Sequence, residues 1–410
     1  MRQLNFHTST LNLVMKRPLN FIGITGADFI VRSAYQMGKT PLLPIFAMTL
    51  GATDAFLGFI VSVSTLTGMV LKPGIGILSD RWGRRWWLIA GTVFFAGMPF
   101  LYHFVHTPAE LFGTRIIHGL ATAIYGPVTL AFVAEGAKER LAEKLGWFGM
   151  ARSAGYIVGP AAAGWLLATG VSPVNVFTII GLFSCLAFVP ILLLSEPAPR
   201  VKAVRPPIGQ QIVHALKSGT HTPSVWLSGG LEATVFIALY AVKAFLPIYA
   251  LSTGISVALV GAFFSVQEGV HMVLKPVGGR IGDRLGYFGA ICVGMVLAGI
   301  ALPLITLTHG ILGLMALAIL IGAAQALIFP ATVALVSTQI SALHIGAGMG
   351  LIGTLKNAGK VVGPILGGFL IGWLDFSPMF WSMGLLLLLG AGVVGCWGQR
   401  RQTQRHSPPA

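Results

Sequence analysis

A stretch of thirteen residues occurs twice in this chain, and it constrains the possible folds more than any other sequence feature. The first copy runs from Leu71 to Gly83 and the second from Leu274 to Gly286, with seven identical positions. The offset of 203 residues is about half of the 410-residue chain. A repeat of that period indicates a duplicated unit, so the fold must accommodate two similar halves.

Long apolar runs recur along the whole chain and predict an all-α membrane protein. The chain is 55% hydrophobic and 10% charged, whereas a soluble domain is about 25% charged. A helix needs about 20 apolar residues to cross a bilayer, and most of the runs reach that length. The predicted transmembrane helices are twelve, near residues 19–48, 54–78, 86–105, 109–134, 146–169, 174–195, 224–251, 257–280, 287–307, 310–338, 346–373 and 376–397.

The connections between these helices alternate in charge. One set is rich in lysine and arginine, and the other, which begins with residues 49–53, contains neither. Because basic loops remain in the cytoplasm, both termini are predicted to be cytoplasmic. The same rule accounts for the net charge of +15 without a nucleic-acid partner. The sequence thus predicts a multi-pass protein of the cell membrane (plasma or inner), with the lipid bilayer as its surroundings.

The chain divides at its longest connection. We predict an N-terminal six-helix bundle (1–195), a proline-rich cytoplasmic linker (196–223), a C-terminal six-helix bundle (224–397) and a basic cytoplasmic tail (398–410). Both bundles have the same orientation, so they form parallel repeats related by an axis along the membrane normal. Transporters built in this way bind their substrates at the interface between the repeats.

Three motifs make the chain similar to the major facilitator superfamily. Residues 76–85, GILSDRWGRR, resemble the family motif G-x-L-x-D-R-x-G-R-R between spans 2 and 3. Residues 115–119, RIIHG, resemble the span-4 motif R-x-x-x-G, and residues 155–160, GYIVGP, resemble a span-5 motif of drug exporters. The resemblance, closest to the drug:proton antiporter branch, implies a twelve-helix transporter that works by alternating access.

By the same resemblance, the repeated stretch is a conformational latch rather than a substrate site. Asp80 can pair with nearby cations, and remaking that contact would bias the protein between two open states. The alternative is that the stretch serves only as a topology signal. The residues assigned to the latch are Gly76, Asp80, Arg81, Gly83, Arg84, Arg85, Asp283 and Arg284.

Two glycine–proline pairs lie inside predicted helices, Gly159–Pro160 in span 5 and Gly363–Pro364 in span 11. Proline removes a hydrogen bond within the helix, and glycine permits close helix contact. These pairs are therefore either bending points between the halves or sites of tight packing.

Ionisable residues within the spans are costly in lipid, so they indicate a functional site. Glu268 and His271 are three residues apart on one helix face, a spacing suited to carrying a proton. The resemblance places Arg115 near proton coupling, with a purely structural arginine as the alternative. The candidates for proton coupling are Arg115, Glu268, His271, Asp28 and Glu232.

Spans 1 and 7 share an acid and a lysine eleven residues apart, a separation close to three helical turns. The resemblance places both spans beside a central cavity. The alternative is that the lysines extend to the outer interface, with Asp28 neutralised by Arg32 one turn away. The candidates for the substrate cavity are Arg32, Lys39, Lys243, Arg152, Lys356 and Gln325.

Two functions remain open at this point. The first is proton-driven export of small amphipathic molecules by a functional monomer, with protons as the coupling ion. The second is an uptake symporter or facilitator for a small organic anion, which the excess of cations within the spans favours. An enzyme is not expected, because no nucleophile–base cluster is present, and neither a cofactor nor a metal is predicted. The three cysteines lie far apart in apolar runs.

Overall fold

The computed structural model describes residues 2–136, 140–195, 223–308, 310–337 and 345–406, and all regular elements among them are helical. These residues form twelve helical segments, as the sequence predicts. They are α1 (Arg2–Met37), α2 (Asp54–Trp82), α3 (Arg84–Leu101), α4 (Pro108–Gly136), α5 (Leu141–Ala168), α6 (Pro173–Cys185), α7 (Pro223–Ser252), α8 (Val257–Leu285), α9 (Tyr287–Leu304), α10 (Ile311–Ser337), α11 (Ile345–Leu374) and α12 (Phe376–His406).

Several segments are extended or interrupted. The helix α1 continues through a π-helical turn at Gly38–Leu42 into a further helix at Leu43–Thr49, and α6 resumes at Phe188–Leu193. Short 3₁₀ turns at Tyr102–Phe104 and Ile305–Leu307 extend α3 and α9. The predicted linker lies almost entirely outside the described residues, and the predicted division into bundles and tail stays a prediction.

Nine of the helices that the structure describes are long and apolar enough to cross a membrane. The remaining three, α1, α5 and α11, contain small and charged residues that lower their hydropathy. Large apolar side chains cover the exterior, and Leu312 and Trp373 are 83% and 80% exposed. Such a surface requires a lipid environment.

Two pseudo-symmetric helix pairs join the halves. A Cβ atom on Gly58 of α2 would overlap the backbone of Pro364 in α11, and one on Gly261 of α8 would overlap that of Pro160 in α5. These helices therefore touch through their backbones, a contact that larger residues would prevent.

The same helix pairs share equivalent hydrogen bonds. Ser62 Oγ donates to the carbonyl oxygen of Val361 at 2.7 Å, and Ser265 Oγ donates to that of Ile157 at 2.6 Å. Ser62 and Ser265 are 203 residues apart, so the duplication read from the sequence is also present in the contacts between the halves.

Both copies of the repeated stretch lie mainly inside helices rather than in loops. The helices α2 and α8 extend to Trp82 and Leu285, beyond the predicted span ends at 78 and 280. A single glycine then turns the chain, Gly83 with φ 87° and Gly286 with φ 81°. Only glycine adopts this backbone conformation at low cost, which accounts for its presence in both copies.

Candidate functional site

A polar cavity lies between the two halves, and we call it the central cavity. Its empty volume, including the part open to solvent, is about 540 Å³. The helices α1, α2, α4 and α5 contribute lining residues from one half, and α7 and α11 contribute them from the other. The lining residues are Arg32, Tyr35, Gln36, Lys39, Thr65, Lys72, Thr122, Gly126, Tyr156, Tyr240, Asn357 and Lys360.

Four of these side chains are cations, and no carboxylate is among the lining residues. Arg32 and Lys39 are each only 8% exposed. Arg32 lies 3.6 Å from the carboxylate of Asp28. Within the part of the chain that the structure describes, no carboxylate oxygen lies within 4 Å of the amino groups of Lys39, Lys72 or Lys360. The lining of the cavity is therefore basic.

The ring of Tyr240 lies at the centre of the lysines. The amino groups of Lys39, Lys360 and Lys243 are 5.0, 5.3 and 5.6 Å from its centroid. Contact with an aromatic face partly stabilises an ammonium group that has left water. This stabilisation is smaller than that of an ion pair, so the lysines still attract an anion.

The acids that the sequence singles out occupy pseudo-equivalent ion pairs. Arg152 donates two hydrogen bonds to Asp28, both of 2.9 Å, and a third of 3.1 Å to the hydroxyl of Thr129. In the other half, Lys356 lies 3.9 Å from Glu232, which accepts a 2.7 Å bond from the hydroxyl of Thr332.

All three positions correspond across the halves: the acids and the bases are 204 residues apart and the threonines 203. The pairing connects the first and fifth helices of each half.

A third ion pair has no equivalent among the described residues of the other half. Lys243 lies 3.4 Å from one oxygen of Glu268, and His271 Nδ1 lies 3.3 Å from the other. The predicted proximity of Glu268 and His271 is therefore present, and Lys243 joins them. Of these three groups, the imidazole is the one that ordinarily changes its charge near neutral pH.

Arg115 lies in a separate buried cluster. Its Nη2 atom donates to the hydroxyl of Ser64 at 2.5 Å, and its Nη1 atom lies 3.5 Å from the hydroxyl of Tyr102. His118 Nδ1 is 3.4 Å from the same hydroxyl. Among the described residues, no acid contacts this arginine. The structure thus separates Arg115 from the other candidates for proton coupling.

The sequence-predicted latch contains an ion-pair network at the ends of three helices. Arg84 at the start of α3 binds Asp80 of α2 at 2.5 Å and both carboxylate oxygens of Glu135 of α4 at 2.7 Å. Arg85 donates to the carbonyl oxygen of Leu192 at 2.7 Å. Glu135 was not identified from the sequence, because nothing in its local pattern links it to a residue 51 positions earlier.

The second copy of the latch is less connected. Its acid, Asp283, accepts a 3.3 Å hydrogen bond from the hydroxyl of Tyr287. Tyr287 stands where the first copy has Arg84, so the arginine bridge to α4 has no equivalent there. Arg284, like Arg81 in the first copy, is exposed.

The predicted bending residues all lie in helix contacts. Gly159 faces Ser33 and Gln36 of α1, and Gly363 faces Ile237 of α7. Pro160 and Pro364 lie at the two backbone contacts between the halves. Tight packing is thus present at all four positions, and bending remains a prediction.

Two of the six predicted cavity residues, Arg32 and Lys39, line the central cavity, and the other four do not. Lys243, Arg152 and Lys356 are held by the acids described above. Gln325 of α10 is buried at 5% exposure.

Lys72 and Tyr240 were missed, because a repeated lysine and an isolated aromatic residue have no distinctive local pattern.

The family model of the Major Facilitator Superfamily matches residues 29–286 and 230–410, which together cover most of the chain. The chain belongs to the Major Facilitator Superfamily. It is therefore a multi-pass membrane transporter of a small molecule rather than an enzyme.

The superfamily relatives are distant in sequence. An uncharacterised MFS-type transporter of Methanocaldococcus jannaschii is 26% identical, over 83% of this chain and 88% of the relative. Multidrug resistance protein 2 of Bacillus subtilis is 23% identical, over 88% and 91% of the two chains. Quinolone resistance protein NorA of Staphylococcus aureus (strain MRSA252) is 24% identical, over 86% and 90%.

Solved structures of other transporters share the fold. The nucleoside transporter NupG matches with a TM-score of 0.76 at 16% identity, over 92% of this chain and 98% of NupG. A bacterial homologue of the human lysosomal transporter Spinster, in an inward-facing and unoccupied conformation, matches with a TM-score of 0.76 at 15% identity. That match covers 96% of this chain and 99% of the homologue.

Proposed function

We propose that this protein transports small organic anions by alternating access, with protons as the coupling ion. The observation that carries the proposal is the central cavity, where Lys39, Lys72 and Lys360 have no carboxylate partner among the described residues. An uncompensated charge within a membrane is costly, so such a site requires a mobile counter-charge. An anionic substrate supplies that charge.

The electrostatics favour anions over cations. At a separation of about 5 Å and an effective dielectric constant of about 20, two unit charges interact by roughly 3 kcal/mol. A monovalent anion beside Lys39 gains about this much, and a cation in the same place loses as much. A molecule with two acidic groups neutralises more of the cavity and is favoured further.

The arrangement of the halves supports alternating access. Near the start of α2, Gly368 of α11 lies against the backbone of Asp54, and Gly164 of α5 lies against that of Val257 at the start of α8. Towards the other end of α2, the space beside Gly74 and Gly76 is open. The halves thus close over one end of the cavity.

The lysine and arginine content of the loops indicates which side of the membrane the closed end faces. If the basic loops and both termini are cytoplasmic, as we propose for a protein of the cell membrane, the closed end faces outwards. The cavity then opens to the cytoplasm, and rocking of the halves about Gly58 and Gly261 would expose it to the other side.

The latch at the cytoplasmic ends of the helices offers one test of this scheme. Replacing Arg84 with glutamine removes the bridge between α2, α3 and α4, so we expect the maximal transport rate to fall by about tenfold while KM changes little. Initial rates of uptake into proteoliposomes measure both constants. Arg280→Gln is the matched control, since Arg280 is exposed on α8. An equal loss of transport rate in both variants would contradict the proposal that Arg84 belongs to a conformational latch.

Proton coupling is assigned to Glu268, with His271 and Lys243 as its partners. A proton on Glu268 removes the negative charge beside Lys243 and frees that amine to attract an anion. The proton and the substrate are thereby linked. Asp28 and Glu232, each held by a base and a hydroxyl, are secondary candidates, and Arg115 would act only through its hydroxyl cluster.

This coupling predicts a distinct behaviour of Glu268→Gln. In proteoliposomes with an imposed pH gradient, the wild type is expected to concentrate an anionic substrate, and the variant is expected to exchange it without concentrating it. The glutamine retains the shape of the side chain but cannot change its charge. Accumulation by the variant that still follows the gradient would contradict the assignment.

Export of amphipathic drugs is the second candidate function. It is supported by the names of two relatives, Multidrug resistance protein 2 and Quinolone resistance protein NorA. A panel of anionic, neutral and cationic compounds in the same proteoliposomes separates the two functions. Transport of lipophilic cations alone would favour the exporter and overturn the anion proposal.

A further inference from the structure

We infer that the substrate is a carboxylate whose acidic group binds at Lys39, in the place that corresponds to the carboxylate of Glu268 at Lys243. The inference rests on the proposed function, because it requires that the transported molecule is an anion. It goes further by naming the contact and the residue that leaves space for it, Thr65.

The two lysines occupy equivalent positions. Lys39 and Lys243 are 204 residues apart, on the first helices of the two halves. Their amino groups lie near the same ring, 5.0 and 5.6 Å from the centroid of Tyr240. Both side chains are largely withdrawn from solvent, at 8% residue exposure for Lys39 and 15% side-chain exposure for Lys243.

The surroundings of the two lysines differ on α2 and α8. Lys243 pairs with Glu268 of α8 at 3.4 Å. The residue 203 positions earlier, on α2, is Thr65. The same offset relates Ser62 to Ser265, which make equivalent hydrogen bonds, so α2 and α8 are in register. The chain therefore has an internal carboxylate beside Lys243 and a threonine at the equivalent position of the other half.

The space left by this difference belongs to the central cavity. Lys39 and Thr65 both line it, and so does Thr122, whose hydroxyl faces Gly68. Gly68 is the position equivalent to His271. Where one half holds an acid and an imidazole, the other has Thr65 and Gly68, with the hydroxyl of Thr122 against Gly68. Thr65 borders the cavity, so the acidic group of a ligand would lie beside it.

The equivalent pair of Lys243 and Glu268 favours a carboxylate as the acidic group. Glu268 shows that one carboxylate satisfies this lysine environment, with one oxygen directed to the amine and the other to a neighbouring polar side chain. Near Lys39, the amide of Gln36 is a cavity-lining group that could donate to the second oxygen.

The test supplies the missing carboxylate from the protein. Thr65→Glu places an acid at the position equivalent to Glu268, and Thr65→Gln has nearly the same shape without the charge. With succinate as the probe in proteoliposome counterflow, we expect kcat/KM of Thr65→Glu to be at least about tenfold below that of Thr65→Gln. Thermal unfolding should show a higher Tm for Thr65→Glu than for Thr65→Gln without succinate, and a smaller rise on adding it.

A reciprocal variant keeps the test informative if Thr65→Glu transports nothing. Thr65→Glu/Glu268→Thr moves the internal carboxylate from one half to the other, and we expect counterflow of succinate to recover at least about tenfold over Thr65→Glu alone. If wild-type protein transports no organic anion, the proposed function fails and this inference fails with it. If it transports organic anions but no carboxylate, only the inference is wrong. If the wild type transports succinate but Thr65→Glu and Thr65→Gln behave alike in both measurements, only the inference is wrong.

Discussion

Replacement of Lys39 with glutamine is expected to lower kcat/KM for an anionic substrate by at least about 100-fold. The amino group faces the central cavity without a carboxylate partner among the described residues, and the side chain is buried. Its interaction with a bound anion, roughly 3 kcal/mol at about 5 Å, corresponds to a loss of that size.

Two further variants make the result specific to charge at this position. Lys39→Arg keeps the positive charge and should retain much more activity than Lys39→Gln. Lys275→Gln removes a lysine that is exposed on α8, and its transport should match the wild type. The expectation fails if Lys39→Gln transports the anion as well as Lys39→Arg does, with equal amounts of folded protein in the membrane.

The second large effect is expected on stability. Asp28→Asn should lower the free energy of unfolding by about 3–5 kcal/mol, the usual range when one partner of a buried ion pair is removed. The carboxylate of Asp28 is almost fully buried, and both Arg32 and Arg152 lie against it. Its loss leaves two guanidinium groups within the membrane without their acid.

The pseudo-equivalent pair offers a matched comparison. Lys356 is 3.9 Å from Glu232, and its side chain is 36% exposed, whereas Arg152 is 2.9 Å from Asp28 and 24% exposed. Glu232→Gln should therefore lower the unfolding temperature in detergent less than Asp28→Asn does. The double change Asp28→Asn/Arg152→Gln should restore part of the loss, and equal destabilisation by both single variants would contradict this account.

The fold was largely predictable from the sequence. Apolar runs predicted the twelve helices, because they can be recognised from local composition. The repeat predicted the two halves, because it recurs at a fixed offset. The ends of α2 and α8 were predicted too early, because Lys72, Asp80 and Arg81 lower the hydropathy of a segment that remains helical. The π-helical turn at Gly38–Leu42 was not predicted, although Pro41 marks the place.

The site was predictable only in part, for a physical reason. Spacing along one helix identified Glu268 with His271 and Asp28 with Arg32, which lie one turn apart. Contacts between helices, such as those of Arg84 with Glu135 and of Lys39 with Tyr240, depend on packing between distant parts of the chain. A single sequence does not record that packing.

The central claim is that the cavity selects its ligand by negative charge, and three four-carbon molecules test it most directly. Succinate, succinamide and putrescine are similar in length but are anionic, neutral and cationic at neutral pH. Each is added to purified wild-type protein, and its dissociation constant is measured by calorimetry. The account predicts that succinate binds at least about tenfold more tightly than succinamide and that putrescine does not bind. Equal affinity for succinate and succinamide, or preferential binding of putrescine, would contradict it.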